Sequence, residues 1–102
     1  MRITLVNPPL DSVLENGSVS PVTAYLFFNS APLGILYVAA CLEQAGHTVC
    51  AIDAAAEKLD VKGTVRRIEG TRPDVIGIGS TTVVFETSKR LATALKGAMP
   101  SI

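Results

Sequence analysis

Residues 74–82 read Asp74-Val75-Ile76-Gly77-Ile78-Gly79-Ser80-Thr81-Thr82. Asp74–Gly79 reads as a strand, and its run Val75 to Ile78 is apolar without the clean alternation of a half-exposed strand. Such a strand is expected to be buried on both faces, as in a parallel sheet covered by helices. Gly70 and Pro73 close whatever helix comes before it. The three hydroxyl residues after Gly79 end the run and suit the start of another helix. A strand set between two helices is the repeating unit of an α/β fold.

Two more strands precede it. Arg2–Val6 is β-branched and is stopped by Pro8 and Pro9. Thr48–Ile52 ends at Asp53. Between them, Pro32 suits the first turn of a helix, where its missing N–H costs nothing. Leu33–Ala45 is apolar nearly all round, as expected of a helix packed on a sheet, and Gly46 is a natural left-handed stop. Val61, Val65 and Ile68 recur at helical spacing, with Lys62, Arg66, Arg67 and Glu69 on the other side. The last helix covers roughly Phe85–Lys96, with Phe85, Ser88, Leu91, Ala92 and Leu95 on one stripe, and ends at Gly97 and Pro100. Leu10–Ser30 is a connection of about twenty residues, long enough to suggest a functional loop. Its segment Ala24-Tyr25-Leu26-Phe27-Phe28 is expected to pack against something. Strand–helix repeats of this kind require right-handed parallel crossovers. Strand orders 2-1-3, flavodoxin-like, and 3-2-1, Rossmann-type, both satisfy them.

The chain has 102 residues, enough for one small domain. Hydrophobic residues make up 48%, with no Trp, which suits an aliphatic core. Nine Lys and Arg balance nine Asp and Glu, so the footprint of a nucleic-acid binder is missing. The apolar start Met1–Val6 is too short to span a membrane and is broken by Asn7-Pro8-Pro9, unlike a signal peptide. A cytoplasmic location is the expectation. Cys41, among Val38, Ala39, Ala40 and Leu42, is expected to be a buried free thiol, and Cys50 lies in the second strand. Two cysteines at this spacing make neither a zinc site nor a disulfide framework.

Three stretches converge in such a fold: Asn7-Pro8-Pro9, Ala31-Pro32-Leu33-Gly34 and Gly79-Ser80-Thr81-Thr82. In a parallel sheet they meet at the edge where α/β folds bind ligands. The glycine fingerprint of a dinucleotide site is missing between the first strand and its helix. Gly77 and Gly79 permit close approach of backbone or ligand. Ser80, Thr81 and Thr82 can donate to a ligand or cap the last helix. Asn7 can orient a ligand or hold the proline turn, and Asp53 can face a ribose or cap the segment after it. His47 stands at the opposite end of its strand and reads as a surface turn residue. No catalytic set of side chains assembles from this chain, and no metal site is expected within it.

"MRITLVNPP", "APLGILYVAACLEQAGHTVCAIDA" and "RPDVIGIGSTTVVFETSKRLATALK", in this order, resemble the N-terminal cobalamin-binding domain of B12-dependent radical SAM enzymes. The resemblance covers nearly the whole chain. It implies a three-layer flavodoxin-like α/β fold of strand order 2-1-3, with the corrinoid at the C-terminal ends of the strands. It places Asn7, Pro8 and Pro9 near the lower corrin face, Pro32, Leu33 and Gly34 at the adjacent helix start, and Ser80, Thr81 and Thr82 on the nucleotide tail. It implies a parent enzyme of methyltransferase or ring-forming type, whose radical SAM domain would carry the 4Fe-4S cluster and S-adenosylmethionine.

Two departures qualify it. Cobalamin domains of the methionine-synthase type carry D-x-H-x-x-G after the first strand, and this chain has Asn7-Pro8-Pro9 there. Base-off cobalamin without a histidine ligand is therefore expected. The family domain also continues into a fourth strand, so residues 1–102 are expected to be a single incomplete domain, cut before that strand. The third strand would then be an edge, and unpaired N–H and C=O groups beside an apolar surface invite self-association. The expected partners are the radical SAM domain and a second copy, with no nucleic acid and no membrane. A Rossmann-like nucleotide- or sugar-binding fragment and an interaction module without a cofactor are the competing readings.

Overall fold

The computed structural model describes residues 1–11, 20–28 and 31–102. Three parallel strands, β1 (Arg2–Asn7), β2 (Thr48–Asp53) and β3 (Val75–Ile78), form one sheet in the order β2-β1-β3. This is the 2-1-3 arrangement. The register runs from Arg2↔Thr48 to Asn7↔Asp53 on one side of β1 and from Ile3↔Val75 to Val6↔Ile78 on the other. All three strands therefore end at one level, where the site residues stand.

Among the described residues, four α-helices accompany the sheet: α1 (Pro21–Phe28), α2 (Leu33–Gln44), α3 (Val61–Glu69) and α4 (Phe85–Ala98), the last entered through a 3-10 turn at Thr82–Val84. The connection expected over Leu10–Ser30 thus contains a helix. Val22 and Leu26 on it are exposed, and the side chains of Ala24, Tyr25, Phe27 and Phe28 lie outside the described residues. Helices α3 and α4 pack on each other and on one face of the sheet. Val6, Ile52, Ile68 and Leu91 there are at most 2% exposed and form the core with Val65 and Leu95. Asp60 caps α3 by accepting the Gly63 N–H at 2.7 Å, and Asp11 accepts the Val61 N–H at 3.1 Å. The expected stripe on α4 is shifted: Thr87, Ser88, Leu91 and Leu95 are buried, whereas Phe85 is 56% exposed. The 3-10 turn puts Val84 into the core in its place.

Helix α2 lies on the other face, against β1 and β2. Ile35, Ala39 and Leu42, one stripe at helical spacing, are half-buried there, and no residue of α2 is fully buried. Leu33, Leu36, Tyr37, Val38 and Cys41 are exposed. This corrects the reading of Cys41 as a buried thiol. A helix apolar on every side does not reveal which stripe meets the sheet, and Cys41 falls on the outward one. Gly46 ends the helix at φ +94°, the left-handed conformation that glycine adopts without a Cβ penalty. No described helix is long and apolar enough to cross a membrane.

Candidate functional site

The site begins where β1 and β2 end side by side. The Asn7 carbonyl accepts the Ala54 N–H at 3.0 Å. Its side-chain NH2 donates to Asp53 Oδ1 at 2.9 Å, and the same oxygen accepts the Ala56 N–H at 3.2 Å. A carboxylate only accepts, so it fixes the Asn7 amide with nitrogen toward β2, leaving Oδ1 as the atom free to meet another group. Asp53 thus holds the segment after β2, as one of its two readings has it, whereas the Asn7 side chain ties β1 to β2 and is bonded to Asp53, not to the proline turn. Pro8, Pro9 and Leu10 follow and are buried, which makes the exit from β1 a rigid wall.

Opposite stands the first turn of α2. The Leu33 N–H donates to the Ala31 carbonyl at 2.8 Å and the Leu36 N–H to the Pro32 carbonyl at 3.1 Å. Its Ile35 leans over the end of β3. A Cβ at Gly79 would come within 2.8 Å of Ile35 Cδ1, so the bare backbone there permits this approach. The Gly79 N–H is spent on the Val6 carbonyl at 3.0 Å.

Ser80 and Thr81 form the third wall, and both are exposed. Thr81 occupies the cap position of the 3-10 turn, where its carbonyl accepts the Val84 N–H at 3.2 Å. Its hydroxyl makes no capping bond. Among the described residues Ser80 Oγ reaches only the Thr81 carbonyl, at 3.3 Å. The hydroxyls are thus not consumed by the helix start they precede.

These walls enclose a cleft of about 290 Å³. Of the residues singled out in the sequence, Asn7, Pro8, Pro32, Leu33, Gly34, Ser80 and Thr81 line it. Pro9 does not: it is fully buried beneath the wall. Thr82 stands on the 3-10 turn outside the lining. Leu10, Ala31, Ile35, Gly79 and Val84 complete the lining. Ala31 and Gly79 belong to the three converging stretches and Leu10 follows one of them, but Ile35 and Val84 reach the cleft only through tertiary packing. No described residue of the lining carries a charge. The cleft offers aliphatic surface on its floor and neutral hydrogen-bonding groups on its rim. The chain's only histidine, His47, lies at the far end of β2, with Nδ1 3.3 Å from the Met1 amino nitrogen.

Comparison with known proteins agrees with this fold. Residues 19–102 match the family described as the B12 binding domain. The chain is also 33% identical over 98 residues to an uncharacterized methyltransferase of Pyrococcus horikoshii, an alignment covering 94% of this chain and 19% of that protein. The chain therefore spans about a fifth of the length of that curated relative. No solved structure matches. With most of its length matched, the chain belongs to the B12 binding domain family.

Proposed function

We propose that this member of the B12 binding domain family holds cobalamin across the C-terminal edge of its sheet, as the cofactor-binding part of a larger cytoplasmic enzyme. The observation that carries the reading is the convergence of three separate sequence stretches on one cleft at that edge, whose described lining is uncharged. A corrinoid is broad, with apolar ring faces and amide-bearing arms. An aliphatic floor with a rim of hydroxyls and one oriented amide suits such a surface. The cleft lies at the small end of the range for pockets that enclose a ligand, so it would seat part of the cofactor rather than surround it.

Cobalamin, when bound, would supply cobalt-centred group-transfer chemistry. The chain would supply placement. Pro8 and Pro32 give two stiff walls, Asn7 presents an acceptor held by Asp53, and Ser80 and Thr81 offer hydroxyls to polar arms. We assign the cofactor a base-off state without a protein imidazole. His47 at the opposite edge supports this, together with Asn7-Pro8-Pro9 where a histidine-bearing loop would stand. The parent enzyme is proposed to be a radical SAM protein of methyltransferase or ring-forming type, with its 4Fe-4S cluster and S-adenosylmethionine in a separate domain. The match to a protein named as a methyltransferase supports the methyltransferase part of this reading.

Titration of the purified chain with hydroxocobalamin, followed by visible absorption and binding heat, tests the proposal. Saturable one-to-one binding is expected, with the same spectrum for the wild type and His47→Ala. Absence of binding, or a spectrum that changes with His47→Ala, overturns it. Binding of a nucleotide in place of cobalamin would favour the Rossmann-like reading instead.

A further inference from the structure

Asp53 holds the Asn7 side chain one way round. Asn7 Nδ2 donates to Asp53 Oδ1 at 2.9 Å, and the Ala56 N–H, donating to the same oxygen at 3.2 Å, anchors that carboxylate. The Asn7 main-chain carbonyl is given to the Ala54 N–H at 3.0 Å. The two ends of an amide are nearly alike in shape, so packing alone would let its oxygen and nitrogen exchange places. The carboxylate forbids the exchange, because turning the amide would set two acceptors against each other. What is left of the side chain for a ligand is Oδ1, an acceptor only, at a residue that lines the cleft.

We infer that this pair makes the cleft selective for amidated corrinoids, against those in which the arm meeting Asn7 is a carboxylate. The inference rests on cobalamin lying in the cleft. An amide arm has an N–H to give to Asn7 Oδ1. A carboxylate arm has none and would meet an acceptor with an acceptor. The Asp53 charge, directly behind the Asn7 amide, repels a second anion. No described residue of the lining is a cation that could offset this. Withdrawing a carboxylate from water without a partner is unfavourable.

The other polar groups of the cleft leave the choice to Asn7. The Ser80 and Thr81 hydroxyls can donate or accept. The cap of α2 makes no side-chain bond, so its first-turn N–H groups can meet the oxygen of either kind of arm. Asp53 does not line the cleft and acts through Asn7, which makes it a positioning residue.

The test is a titration of the chain with hydroxocobalamin and with its isomeric monocarboxylates, each with one peripheral amide hydrolysed. Affinity is read from visible absorption and binding heat at neutral pH, where the carboxylate arm is ionised. One isomer is expected to bind about tenfold or more weakly than hydroxocobalamin, and the others less affected. In Asp53→Ala the Asn7 amide is free to turn, and that gap is expected to close to about threefold or less. Asp53→Asn, which keeps an acceptor for the Asn7 NH2, is expected to retain more of the gap. A merely structural role for Asp53 would weaken every ligand alike and leave the ratio unchanged. Circular dichroism checks that each variant is folded, and the wild-type ratios decide even where Asp53→Ala does not fold. Equal binding of all the corrinoids, an equal loss in every isomer, or an unchanged ratio in folded Asp53→Ala overturns the inference and leaves the proposed function standing. Failure of every corrinoid to bind removes the proposed function, and this inference with it.

Discussion

Asn7 Nδ2 donates to Asp53 Oδ1 at 2.9 Å, across the ends of the two strands that open the cleft. The pair ties β1 to β2 at the point where both chains turn away, and the same carboxylate oxygen holds the Ala56 N–H. Asp53→Ala removes both bonds. A lost hydrogen bond to a charged group costs about 1–3 kcal/mol, and these groups are only half-buried, so the lower end applies. Urea unfolding is expected to show a loss of about 1 kcal/mol with an unchanged slope. Asp53→Asn, which keeps an acceptor oxygen, is expected to lose less. Equal loss in both variants would contradict the hydrogen-bonding account.

Gly79 is where β3 lets α2 approach. Gly79→Ala places a Cβ 2.8 Å from Ile35 Cδ1, the far end of a flexible side chain. Overpacking of this kind costs about 1–3 kcal/mol. Ile35→Val, which deletes that Cδ1, is expected to recover part of the loss in the double variant. Additive losses in a thermal-melt cycle would show that the two positions do not touch.

The core lies on the α3–α4 side, and α2 contributes little to it. Leu91, fully buried, is expected to cost about 2–5 kcal/mol on truncation to Ala. Tyr37→Ser on α2, at a position 74% exposed, is expected to stay within about 0.5 kcal/mol of wild type. Comparable destabilisation by both would mean that α2 has a covered face in the isolated chain.

Thiol reactivity reports the same helix. Cys41 is exposed and Cys50 half-buried in β2. A thiol reagent added to the folded chain is expected to modify one cysteine quickly and the other slowly, and Cys41→Ser is expected to abolish the fast phase. A fast phase that remains would place Cys41 inside.

The layered fold was legible because its strands are apolar runs closed by proline, glycine or hydroxyl residues at one end. Periodicity left two strand orders open. The resemblance implied 2-1-3, and the structure has that order. Cys41 was misjudged because α2 is apolar on all sides, so its sequence holds no signal for the buried stripe. Phe85 was misjudged because the 3-10 turn at Thr82–Val84 shifts the phase of the helix it opens. At the site, motif positions found most of the lining, since strand ends and helix starts fix where it must lie. They did not distinguish Pro8, which lines the cleft, from Pro9, which is buried beneath it. Ile35 and Val84 were missed because only packing between elements brings them there.

The central claim is that cobalamin lies on the edge formed by Asn7, the start of α2 and Ser80-Thr81. The most direct measurement is the amide NMR spectrum of the 15N-labelled chain during titration with hydroxocobalamin. The largest shifts are expected at Asn7, Leu33–Ile35 and Gly79–Thr81, with His47 and Thr48 at the other end of the sheet unmoved. Saturable shifts centred on His47, or no shifts at all, would contradict the account.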